Sequence, residues 1–372
     1  MKFTIKKSDI IDVLSKIQGL TGRKSSLAIT ESLLIKTNSS SITITATDLE
    51  TGFEGIYSAN IEAEGIIAIN SRKFYEIVRD FPSDEIQVCE AENHWIEIGN
   101  QNVQYHIVGM NPEDFPDIPH VEEVDYFEID STAFTKMIEQ TTMITVGSED
   151  KRTHVNGVYF ERIFNQDEKK LRMVSTDGSR LSLVDYTYDK DIELPQGQAF
   201  LVPKKGLGDA SKFLKPAETI QIGVKGNNFI IIKDKETMIM RLLEGSFPKY
   251  HDIIVKGEAH QIKFDRQLFL MMLKRMSILS SDDYKGVIFN FDKNKLVITT
   301  TNPDIGESKE DADIDFDGKA MELSFNPRYF IEMLNVIDED NIILRIIDEE
   351  KPCQIEGIDD KSFLGVIMPM RI

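Results

Sequence analysis

Cysteine is nearly absent: the 372 residues contain two, Cys89 and Cys353, far apart in the chain. A disulfide framework and a cysteine-rich zinc site are thereby excluded, and the usage suits a reducing compartment. No apolar run approaches the roughly 18 residues that span a bilayer. The first residues, Met1-Lys2-Phe3-Thr4-Ile5-Lys6-Lys7, alternate like a strand and lack the apolar core of a signal peptide. The expectation is a cytoplasmic protein with no membrane partner. Positive charge is also scarce, with 43 lysines and arginines against 63 acids and a formal net charge of −20. That total argues against nucleic acid as a partner, because phosphate binding needs positive potential. Screening confines exposed charges to a reach of about 8 to 10 Å at cellular salt, so an acidic exterior can coexist with a basic inner face.

Catalytic signatures are missing too. There is no Walker sequence, nucleophile elbow, HExxH or kinase-like motif, and His94, His106, His120, His154, His251 and His260 never pair at ligand spacing. Asp313-Ile-Asp315-Phe-Asp317-Gly318 imitates the start of a calcium loop, but Ser324 stands where the bidentate glutamate belongs. With Ala312, Ile314 and Phe316 alternating between the acids, it reads as the polar face of a strand. Gly206-Leu-Gly208 has Ser211 in place of the third glycine of a dinucleotide fingerprint and reads as a permissive turn entering a helix. No catalytic residue, metal or cofactor is expected. An enzyme would need carboxylates assembled in space from distant positions. A further alternative is an acidic scaffold whose basic helices meet an acidic protein.

What the chain does contain is repetition. Phe3 to Leu14, Phe127 to Ile138 and Ile262 to Leu273 align without a gap. Apolar residues stand at strand spacing (3 and 5, 127 and 129, 262 and 264), then at helix spacing (10, 13, 14; 134, 137, 138; 269, 272, 273). A second strand-to-helix unit follows in each copy, at Ile67 to Phe74, Phe200 to Leu207 and Leu323 to Phe330, with Arg72, Lys205 and Arg328 at the same place. Alternating stretches such as Ser41 to Thr45, Phe229 to Ile232 and Leu296 to Thr300 read as antiparallel strands. The pattern predicts an α+β chain of three tandem domains, residues 1–125, 126–254 and 255–372, each a doubled β-α-β-β-β unit.

The scarce positive charge gathers on these helices. Segments 16–24, 72–79, 204–215 and 266–275 hold 13 basic residues, including Lys16, Lys215 and Arg266, against only Glu76 and Asp209. Solvated helix faces usually mix both signs, so the bias points to phosphate. Aromatic residues do not interleave as a single-strand stacking platform requires, which favours a duplex backbone.

With the threefold repeat, Thr176-Asp177-Gly178-Ser179-Arg180-Leu181, Asp114-Phe115-Pro116, Gly245-Ser-Phe247-Pro248 and the terminal Val366-Ile367-Met368-Pro369-Met370-Arg371-Ile372, the chain resembles the beta sliding clamps of bacterial DNA polymerase III over its whole length. The resemblance implies the DNA-clamp fold, with helices lining a ring and antiparallel sheets outside. It also implies a head-to-tail homodimer around duplex DNA, a non-catalytic processivity subunit that tethers the replicative polymerase and is opened by a separate clamp loader. Twelve helices about 10 Å apart close a circle roughly 38 Å across at their axes, leaving about 28 Å clear, which admits a duplex with a water layer. The residues expected to face DNA are Arg23, Lys24, Arg72, Lys73, Arg79, Lys204, Lys205, Lys212, Lys274 and Arg275. The dimer contact implied is Tyr105 and Ile107 against Ile278 and Leu279.

A groove for peptides of the polymerase, the loader and other clamp-binding proteins is implied between the second and third domains. Its residues are Val155, Thr176, Gly178, Arg180, Leu181, Pro248 and Ile253 with Val366, Ile367, Met368, Pro369, Met370, Arg371 and Ile372. Ser179 stands where the family commonly has a larger polar or aromatic residue, and Asp252 where a basic one occurs, so altered peptide preferences are expected. The second helix of the third domain, after Arg328, is less basic than its counterparts.

Overall fold

The period-2 stretches become strands and the period-3.6 stretches helices, and four of the six strand-to-helix junctions are set by an Asx cap. The computed structural model describes residues 1–21, 27–119, 122–145, 152–164, 169–188, 199–254, 257–280 and 286–370. The helices of the first third are α1 (Lys7–Thr21) and α2 (Ser71–Asp80), of the second α3 (Ser131–Thr142) and α4 (Lys204–Ser211), and of the last α5 (Arg266–Met276) and α6 (Pro327–Asn335). The side chains of Asn70, Asp130, Asp265 and Asn326 accept from the backbone amides of Lys73, Ala133, Leu268 and Arg328 at 2.6 to 3.0 Å. Each satisfies an amide that the first helical turn leaves without a partner. Every third follows the doubled β-α-β-β-β order, with one additional short strand, Asn60–Ala63, in the first.

The described residues of Met1–Thr135 and Val202–Leu242 form one compact unit, and those of Lys136–Lys190, Gly197–Leu201 and Leu243–Ile372 a second. The first unit holds a five-stranded antiparallel sheet in the order Asn60–Ala63, Lys2–Lys6, Glu85–Glu90, Trp95–Gly99, Gln104–Val108. Its second sheet has eight strands and runs across the expected boundary near residue 125, because Glu236–Arg241 pairs with Thr51–Ser58 (Met238 opposite Phe53). Ile10, Val13, Leu14 and Ile17 of α1 and Phe74 and Val78 of α2 are buried. Gln18 and Thr21 tie the two helices by donating to Ser71 Oγ at 2.9 and 2.7 Å.

The second unit has an eight-stranded and a four-stranded antiparallel sheet. Here the eight-stranded sheet crosses the expected boundary near 254, as Arg180–Thr187 pairs with Phe363–Ile367 (Leu181 opposite Val366). Phe269 of α5 and Phe330 of α6 meet Phe289 of the strand Val287–Asp292 at ring separations of 6.3 and 5.5 Å. These buried aromatic rings fill the core between helices and sheet.

Two local expectations are refined. Gly206 and Gly208 lie inside α4 and not in a turn before it. Gly206 serves close packing: a Cβ there would stand 2.9 Å from Met240 Sδ and 3.1 Å from Thr51 Oγ1. The acidic strand Gly306–Asp313 ends before the calcium-like motif is complete, yet burial still alternates beyond it, with Ile314 and Phe316 buried and Asp313, Asp315 and Asp317 exposed. Among the described residues no cluster of three His, Cys, Asp or Glu could hold a metal ion, and no helix is long and apolar enough to cross a membrane.

Candidate functional site

The segment after the strand Lys169–Thr176 is a tight turn fixed by its own side chains. Asp177 Oδ1 accepts from the amides of Ser179 and Arg180, and Thr176 Oγ1 donates to Arg180 O at 2.7 Å. Gly178 has φ of +93°, in the region that disfavours a side chain. Arg180, only 4 % exposed, pairs with Asp177 Oδ2 at 3.0 Å and with Glu332, and lies over the Tyr329 ring at 4.3 Å. Alternation puts Leu181 and Val366 on one face of the sheet and their neighbours Arg180 and Ile367 on the other, where Arg180 meets α6.

On the face of Leu181 and Val366, these two pack with Val174, Leu183 and Tyr250 in one buried cluster, against which Tyr159, Phe247, Ile253, Ile254 and Leu364 are partly buried. Tyr159 and Phe247 stack at 4.7 Å, and Tyr250 meets each edge-on at 6.3 Å. Tyr250 Oη donates to Glu161 and accepts from Arg172 Nη1 at 3.3 Å, while Arg172 forks onto Asp185 with bonds of 2.6 and 2.8 Å. Burial and Glu161 push the Tyr250 phenol far above its ordinary value, Arg172 opposing, so it is a neutral donor near pH 7.

Of the expected groove residues, Leu181, Ile253 and Val366 are thus brought together. Val155 is buried in the turn Thr153–Asn156 before the next strand, and Pro248 is exposed. The chain end is stitched down by Met368 N to Ser179 O at 2.9 Å and Met370 N to Ser324 O at 2.7 Å, with Pro369 half-buried and Met370 exposed. Arg371 and Ile372 lie outside the described residues. Beside the cluster is a cavity of about 540 Å3 lined by Ile253, Ile254, Ile347, Pro352 and Met368 with His251, Asp252, Glu350 and Lys351. Tyr159, Phe247 and Tyr250, central to this surface, escaped sequence reasoning. The quoted Gly245-Ser-Phe247-Pro248 motif was their only signal.

Most basic residues expected to face DNA are exposed, but few are without an acidic neighbour. Arg72 and Lys73 share Glu76 at 3.0 and 2.8 Å, and their hydrogen bonds hold its carboxyl below the usual range. Arg79 pairs with Asp80, Lys205 with Asp48, Lys212 with Asp209 and Arg275 with Glu310. Lys204 is half-buried at the start of α4, and Lys274 is exposed. Arg23 and Lys24 lie outside the described residues.

Tyr105 and Ile107 stand on Gln104–Val108, the edge strand of the five-stranded sheet, where Tyr105 and Val108 are exposed. Ile278 is 73 % exposed in the turn Ser277–Leu279, and Leu279 is half-buried. Neither Tyr105 nor Ile278 is a core residue of the single chain.

Three doubled β-α-β-β-β units in series, with sheets running from one third into the next, define the clamp class of fold. Family models of the DNA polymerase III beta subunit match the chain in order: the N-terminal domain at residues 1–119, the central domain at 128–249 and the C-terminal domain at 251–371. The beta sliding clamp of Vibrio cholerae is 28% identical, with 100% of both chains covered. The sliding clamp of Caulobacter crescentus and that of Bartonella birtlesii bound to griselimycin each have a TM-score of 0.93, at 23% and 24% identity, with 100% of both chains covered. The chain belongs to the DNA polymerase III beta subunit family, the bacterial beta sliding clamps.

Proposed function

We infer that the chain acts without catalysis as a sliding clamp in DNA replication, two copies joining head to tail in a closed ring around duplex DNA and holding the polymerase to its template. The observation that carries this reading is the unbroken succession of three beta-subunit domains along the whole chain. The domains in this reading are residues 1–125, 126–254 and 255–372, and the place of work is the cytoplasm.

Arg72, Lys73, Arg79, Lys204, Lys205, Lys212, Lys274 and Arg275, with Arg23 and Lys24, are the groups that meet DNA. Their acidic neighbours do not disqualify them. Exposed ion pairs are worth about 0 to 1 kcal/mol, and a phosphate that replaces the carboxylate also releases counterions. Such contacts carry no base information, so the duplex is held in any sequence and can slide. Tyr105 and Ile107, on a strand that is at the sheet edge among the described residues, and Ile278 and Leu279 supply the apolar contact between subunits. The surface around Leu181, Tyr250, Ile253, Val366 and Met368 takes apolar anchors of polymerase and loader peptides at roughly micromolar affinity. Methionine at such a site repacks around different peptides. Sedimentation velocity with negative-stain imaging tests the reading: a dimer seen as a six-lobed ring is expected, and a monomer without a ring at micromolar concentration contradicts it.

A further inference from the structure

We propose that the peptide surface selects partners in which the apolar anchors are flanked by lysine or arginine. This rests on the groove reading above and adds the charge of the partner. The cavity at Ile253, Ile254, Ile347, Pro352 and Met368 also has Asp252 and Glu350, with His251 and Lys351, in its lining. Through Ile347 and Glu350 it adjoins a second, open cavity of about 740 Å3 lined by Asp317, Asp348, Glu349 and Glu350 together with Lys319, His260 and Met321. All five carboxylates are exposed, and none of them is in an ion pair among the described residues. Five acids therefore face two lysines, Lys319 and Lys351, across one continuous surface. This distinguishes it from the basic helices, where most cations already have an acidic neighbour.

A second observation lies on the strand that borders this cavity. Gln354 is 3 % exposed and its amide nitrogen has no hydrogen-bond partner among the described residues. In register it stands between Val366 on one neighbouring strand and Arg345 on the other, two residues along from the cavity-lining Pro352. A buried amide without a partner is costly unless something completes it; Gln354 is not itself in the cavity lining, so a peptide carbonyl becomes its acceptor only when an occupant of the cavity opens access to it. An apolar anchor in the cavity then leaves its flanking residues over Asp252, Glu350 and the acidic trough. There cationic side chains are attracted and acidic ones repelled.

The test is fluorescence anisotropy of the full-length protein with one polymerase-derived peptide in three forms, its apolar anchors kept and its flanks set to Lys-Lys, Gln-Gln or Glu-Glu. Affinity is expected to fall in that order, with about tenfold between the extremes at low salt and a smaller gap as salt rises. In an Asp252→Lys/Glu350→Lys variant the order inverts. Equal affinity of the unmodified protein for all three peptides overturns the charge preference and leaves the groove standing. Failure of all three to bind overturns the groove reading itself. An order that persists unchanged in a folded double variant shows that these two carboxylates are not its source, and likewise overturns the proposal.

Discussion

Arg172 and Asp185 stand directly opposite each other on adjacent antiparallel strands and are joined by two hydrogen bonds of 2.6 and 2.8 Å, with the same guanidinium reaching Tyr250 Oη. Both side chains are largely buried, so removing one partner strands the other charge. Asp185→Ala is expected to lower stability by about 2 kcal/mol. It should also weaken peptide binding severalfold, because Tyr250 supports Tyr159 and Phe247. Urea unfolding and anisotropy on the same protein check both effects. The double change Arg172→Leu/Asp185→Leu is expected to cost less than Asp185→Ala alone, and the reverse result would show that no stranded charge is involved.

The two glycines of α4 give opposite expectations. At Gly208 a Cβ meets nothing within 4 Å, and Gly208→Ala should stabilise by about 0.5 to 1 kcal/mol through helix propensity. At Gly206 the new methyl is driven into the fully buried Met240 and into Thr51, so Gly206→Ala should destabilise by about 1 to 3 kcal/mol. Thermal unfolding of the two variants side by side decides it, and equal shifts would contradict the packing.

The strand-to-helix units were legible because the change of period from 2 to 3.6 coincides with Asn70, Asp130, Asp265 and Asn326, all cap-forming residues. Pro369 lies just beyond the strand Phe363–Ile367, where its missing donor interrupts no ladder bond, and Met370 after it is exposed. The glycines of α4 were misleading since the same Gly-x-Gly spacing serves a turn or a tight helix contact, and only Met240 and Thr51, far along the chain, distinguish them. Charge partners were hidden for the same reason: Lys205 meets Asp48 157 residues away and Arg275 meets Glu310 35 residues away. A count of acids within helix segments therefore made the helices look more basic than they are. The polar network beneath the proposed peptide surface was equally illegible, as Glu161, Arg172, Asp185 and Tyr250 become neighbours only through strand register and the turn at Tyr250–Asp252.

Acid sensitivity has an identifiable source in Glu339, whose two carboxylate oxygens accept from the amides of Ile358, Asp359 and Asp360. Burial works to raise its pKa, but the three amide donors prevail and hold it below the ordinary carboxylate value. A carboxyl depressed in the folded state contributes stability that is fully present above its unfolded value, about 4.3. That contribution is lost as pH falls through the lower folded value. Glu339→Gln should therefore lower the melting temperature by a few degrees at pH 7, and the gap to the unmodified protein should close on acidification below pH 4. A gap that stays constant with pH would place the effect in packing.

Closure of the ring is tested at the exposed Ile278 and its half-buried neighbour Leu279. A large apolar side chain contributes about 1.5 to 3 kcal/mol when fully removed from water, so Ile278→Asp/Leu279→Asp should abolish association. Folded monomers in sedimentation velocity, with an unchanged circular-dichroism spectrum, are the expected result. A double variant that remains dimeric would show that the subunits meet elsewhere.

Retention on DNA of defined topology tests the encircling ring most directly. Loaded onto nicked circular DNA by the ATP-driven loader and then separated from it, the protein should stay bound for many minutes, even at salt that dissolves phosphate contacts. Cutting the circle once should release it within the time needed to slide off an end. Equal retention on circular and linear DNA, or loss from both at the same salt concentration, would contradict a closed ring.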